Sequence, residues 1–110
     1  MLKHEEIKAS FDGFTVSEIN AEDSAMVRDK VKADNPDMGV AGFIVAVSSV
    51  LFVRRVEAWP YSEECNDENK KVFYKGYKVK ADEVLAKAED KIKEKREELL
   101  GNLLAGATGT

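Results

Sequence analysis

Hydrophobic positions along this chain change their spacing several times, and each change marks an element. Ile7, Ala9 and Phe11 alternate with polar residues, and Phe14 and Val16 do the same after them. Between the two runs stands Asp12-Gly13, a pair that tolerates the positive φ values of a type I′ turn. The pattern predicts a short hairpin over 6–18. Asn20 then reads as a helix cap, with Glu22 and Asp23 placed where the helix dipole favours acids. A helix over 21–33 follows on a thin apolar stripe, Met26, Val27 and Val31.

Asp34-Asn35-Pro36-Asp37 ends that helix, because the residue before a proline is pushed out of the α region. Asn35 as cap and Pro36 as first residue predict that the next helix starts there and runs to Trp59, where Pro60 stops it. Within it, Met38–Val53 carries no charge, and its apolar residues cover every face.

Beyond Pro60 the pattern breaks up. The stretch 60–81 reads as a loop, with a possible hairpin around Lys75-Gly76 and aromatics set among lysines. From 82 to 104 a long polar helix returns. Glu83/Lys87 and Glu89/Lys93 are i,i+4 pairs in the favourable order. Ala81, Leu85, Ala88, Ile92, Leu99 and Leu103 form a narrow seam, interrupted at Lys95 and Arg96, as if laid along a partner. Residues 105–110, AGATGT, read as a frayed tail.

Composition sharpens one point. The 110 residues carry a net charge of −4, yet the charge is absent from the middle and concentrated in two polar arms. Such arms have little with which to wrap a helix that is apolar all round, which points to lipid around it. Sixteen residues span only ~24 Å as a helix, short of a bilayer core of ~30 Å. Including Val56 lets Arg54 and Arg55 snorkel, and the 19-residue window then has a mean hydropathy of about +1.7. Trp59 and Tyr61 follow as an aromatic belt would. Gly39, Gly42, Ala46 and Ser49 fall on a single seam where a second helix could approach closely. The fold expected is therefore mainly α: one transmembrane helix over about 36–59, a short N-terminal hairpin and helix, and a long polar C-terminal helix.

Arg54 and Arg55 on one side, against Asp34 and Asp37 on the other, put the C-terminus in the cytoplasm or the mitochondrial matrix. Lys70, Lys71, Lys75 and Lys78 would then lie where anionic headgroups can be reached. With Glu5 and Glu6 and no apolar run, the first ten residues do not read as a cleaved signal.

No catalytic set emerges. One histidine, His4, and one cysteine, Cys65, exclude a zinc site of the usual spacing and an internal disulfide. Acidic neighbours should raise the Cys65 thiol and make it unreactive. Glu63, Glu64, Asp67 and Glu68 lack the framework of a calcium loop. An acidic chain with acids beside its lysines is not a nucleic-acid binder. The expectation is no enzyme, cofactor, metal or small-molecule substrate.

Two resemblances of layout follow. A short chain with one span and a charged helix resembles the supernumerary subunits of mitochondrial respiratory or ATP-synthase complexes. That implies a non-catalytic accessory subunit of the inner membrane, with other subunits as partners and a role in assembly. The order of hairpin, short helix, apolar helix and polar helix is similar to that of small phage tail-assembly chaperones, which implies a soluble, helix-rich assembly factor instead.

Overall fold

The computed structural model describes residues 6–108, and side chains as far as 104; His4 lies outside the described residues. Strands β1 (Lys8–Phe11) and β2 (Phe14–Ser17) form the expected hairpin, paired from Lys8↔Ser17 to Phe11↔Phe14. Asp12 and Gly13 both take positive φ, 50° and 84°. Helix α1 (Ala21–Asp34) starts where expected, with the Asn20 side chain accepting from the Asp23 N–H at 2.7 Å.

Helix α2 (Val40–Arg55) corrects the central expectation. It is 16 residues long, not the 24 of 36–59, and no helix among the described residues is long and apolar enough to cross a membrane. Both ends were misplaced for identifiable reasons. Asn35 closes α1 and does not open α2: its N–H donates to Val31 and Lys32 carbonyls, and its Nδ2 reaches Val31 O at 3.1 Å. Pro36 and Asp37 lie in a turn, and Gly39 caps α2. At the other end Val56 turns extended and begins strand β3 (Val56–Ala58), which pairs antiparallel with β2 through Val16↔Val56 and Thr15↔Ala58. The sheet order is β1-β2-β3. The pairing with Val16 and full burial of Val56 outweigh continuing the helix to Pro60.

Helix α3 (Asp67–Gly76) stands where a loop was expected. Asn66 accepts from the Asn69 N–H at 2.8 Å, with Asp67 and Glu68 in the first turn. This is the capping signature that Asn20 shows. Helix α4 (Lys78–Thr108) begins earlier than Asp82 and continues into the stretch expected to fray.

The main core gathers Phe14, Val16, Phe52, Val56, Tyr74 and one face of α4 (Ala81, Val84, Ala88, Ile92). Much of the α4 seam thus packs on the chain's own sheet. Lys95 and Arg96, which interrupt it, tie α4 to the hairpin ends: Lys95 Nζ donates to Lys8 O at 2.7 Å, and Arg96 makes a two-pronged pair with Glu18. The expected i,i+4 partners look elsewhere too, Lys87 to Asp12 and Glu89 to Arg55. A second, smaller core joins α1 to α2 through Val27, Val31 and Val47. The apolar part of α2 is therefore enclosed on part of its circumference by its own chain, while Val40, Ile44, Val45 and Val50 face outward.

Candidate interaction surfaces

The residues proposed for the membrane boundary separate. Arg54 is exposed and Arg55 is buried. Arg55 Nε donates to Ser17 O at 2.8 Å, and the Ser17 hydroxyl donates back to Arg55 O at 3.3 Å. Its Nη2 lies 2.5 Å from Glu89 Oε1 but out of line for a hydrogen bond, a contact of charge with charge.

The four lysines separate as well. Lys70 is buried, and its amine donates to Val53 O at 2.8 Å and Val56 O at 2.9 Å. It satisfies carbonyls that α2 leaves unpaired at its C-terminus, where the dipole favours a cation. Lys78 pairs with Asp82, which raises its pKa above the ordinary lysine value. Lys71 and Lys75 stay exposed, on the lip of a groove between α2 and α3.

That groove, of about 680 Å³, holds three of the four small-residue seam positions, Gly42, Ala46 and Ser49, and is lined also by Met38, Ala41 and Val45. A Cβ on Gly42 would meet only the flexible Met38 side chain, at 3.1 Å. Gly39 stands apart in open space.

Trp59 and Tyr61 belong to a second surface that the sequence reading missed. Trp59, Tyr61, Phe73 and Tyr77 line an open cleft of about 570 Å³, with Val72 beside them. Adjacent rings lie 5.1–5.4 Å apart: Tyr61–Phe73, Phe73–Tyr77, Trp59–Tyr61 and Trp59–Phe73. Such offset and edge contacts suit the ring quadrupole. Phe52, fully buried, stacks under Phe73 at 5.6 Å and 11°, so the cluster rests on the core. Trp59 Nε1 donates to Glu63 O at 2.8 Å, which folds the 59–66 segment over the cleft's edge. Tyr77 and Val72 are 65% and 71% exposed, so the apolar lining faces water. The signal for this cleft was present in the sequence, since Asn66 as a cap starts a helix that carries Phe73 and ends at Tyr77, four residues further on.

Reactive chemistry does not converge on either surface. The Cys65 thiol is pushed up chiefly by burial, with Lys70 pulling the other way, so desolvation is the leading cause and not acidic neighbours. Among the described residues no three His, Cys, Asp or Glu come together as a metal site would need. Comparison of the chain with protein-family profiles, curated proteins and solved structures finds no match in any of the three.

Proposed function

We propose that this chain is a non-catalytic, helix-rich assembly factor that holds a segment of another polypeptide in the aromatic cleft. The observation that carries this reading is the cluster of Trp59, Tyr61, Phe73 and Tyr77, in mutual contact, anchored on Phe52, and open to solvent. Tyr and Trp supply large, rigid contact area at small entropic cost, and such anchors dominate binding between proteins. A lining with one carboxylate (Glu63) and one amine (Lys80) gives few handles for a small polar metabolite. An apolar segment flanked by polar residues fits better. The layout similar to phage tail-assembly chaperones agrees with this reading, and the supernumerary-subunit layout loses its span.

Trp59 is the sole tryptophan and lines the cleft, so it reports occupancy directly. Co-purification of the tagged full chain from its native host should yield a stoichiometric protein partner, whose peptides shift Trp59 emission on titration. Val72→Asp and Tyr77→Ala should abolish both effects while leaving the circular dichroism spectrum unchanged. Retention of the partner by these variants would overturn the reading.

A further inference from the structure

We propose that two copies of this chain form a symmetrical dimer by exchanging the ends of α4, each end lying in the partner copy's groove between α2 and α3. The inference is independent of the aromatic cleft. It starts from two exposed apolar surfaces that are complementary in charge. Past Ile92, α4 leaves the core, and Leu99, Leu100 and Leu103 stand 43%, 56% and 51% exposed on it. From Glu97 to Leu104 the chain carries two acids, Glu97 and Glu98, and no base. The groove is the complement: an uncharged floor on α2 with Lys71 and Lys75 as the charged groups on its lip and no acid in its lining. A helix with an apolar stripe and an acidic flank suits an apolar groove bordered by amines. Ala41, Gly42 and Ser49 keep the groove floor low, so a helix can approach closely.

Reach decides that the occupant comes from a second molecule. The start of α4 lies beside the groove, because Tyr74, which lines it, donates its hydroxyl to Asp82 at 2.8 Å. Leu99 is 21 residues beyond Lys78 on one continuous helix, about 32 Å away at 1.5 Å per residue. The end of α4 cannot return to its own groove without breaking the helix. Exchange between two copies satisfies both grooves and both ends with one two-fold axis. It also forms the same contact twice.

Charge reversal tests this without touching the core, since all four positions are exposed. Sedimentation equilibrium of the full chain should show a dimer with a dissociation constant in the micromolar range. Lys71→Glu/Lys75→Glu should weaken it about tenfold or more, and Glu97→Lys/Glu98→Lys should do the same. Mixing the two double variants pairs each altered groove with an altered end and each native groove with a native end, so the mixture should dimerise as the wild type does. Leu103→Asp and Gly42→Leu should each give monomers with unchanged helix content. A wild-type chain that stays monomeric up to millimolar concentration would overturn the proposal. So would a mixture that stays monomeric beside a dimeric wild type, or dimers that survive Leu103→Asp.

Discussion

Ser17 and Arg55 hold each other reciprocally: the guanidinium Nε donates to Ser17 O, and the Ser17 hydroxyl donates to Arg55 O. The pair sits where α2 hands over to β3, and both residues are buried. A cation is tolerated there because its bonds are made to backbone and because Glu89 stands beside it. Glu89 is largely exposed and screened, so the buried bonds to Ser17 carry the larger share.

Arg54 and Arg55 therefore differ sharply under the same substitution. Arg55→Ala leaves the Ser17 carbonyl without its donor and should cost about 2–3 kcal/mol. Arg54→Ala, at an exposed position, should stay within about 0.5 kcal/mol of the wild type. Urea denaturation of the two variants makes the comparison, and equal losses would refute the assignment.

Gly13 is constrained twice. Its φ of +84° disfavours any side chain, and a Cβ there would come within 2.6 Å of Pro60 Cβ. Gly13→Ala should destabilise by about 2 kcal/mol or more. Adding Pro60→Gly should recover the steric part of that loss and leave the conformational part, a coupling that a double-mutant cycle would read.

Phe52 links stability to the cleft. Its ring fills the core under Phe73, and Phe52→Ala should cost about 3–5 kcal/mol. Because Phe73 loses its support, Trp59 emission should change in the folded variant as well. An unchanged spectrum would mean that the cleft does not depend on the core beneath it.

Alkaline pH should weaken the fold. Burial, then the bond to Asp82, raises the Tyr74 phenol above its ordinary 10.0; the Ser48 side chain opposes this. Burial raises Cys65 above 9.0. Lys8 and Lys78 are held above 10.5 mainly by hydrogen bonds to Glu57 and Asp82. A folded value above the unfolded one means that stability is fully present below the unfolded value and is lost as pH rises through the folded one. The denaturation midpoint should thus fall from about pH 9 upward, and Tyr74→Phe should flatten the part above 10. On the acid side Asp12, lowered by its hydrogen bond to Lys87, contributes above 3.8 and loses that contribution as pH falls.

Much of the N-terminal half was legible. The Asp12-Gly13 turn and the Asn20 cap act within a few residues, so local chemistry specifies them, and the structure places both as read. Helix α3, expected as a loop, carries the same local signal, since Asn66 with Asp67 and Glu68 repeats that of Asn20, Glu22 and Asp23. The small-residue seam was found as a surface, yet its setting was misjudged, because sequence alone gave no sign that Phe52 and Val47 face the chain's own elements.

Sequence by itself determined the Asp12-Gly13 turn, the Asn20 cap and the alternation that makes β1 and β2, all set by residues close in the chain. Tertiary structure decided where the apolar helix stops and which of its faces are covered. Val56 leaves the helix because Val16, 40 positions earlier, offers it a strand partner, and Lys70 brings an amine to the carbonyls that this exit exposes. Those partners are distant in the chain, so no local pattern around residues 54–60 encodes them. The same separation puts Arg54 in water and Arg55 in the core.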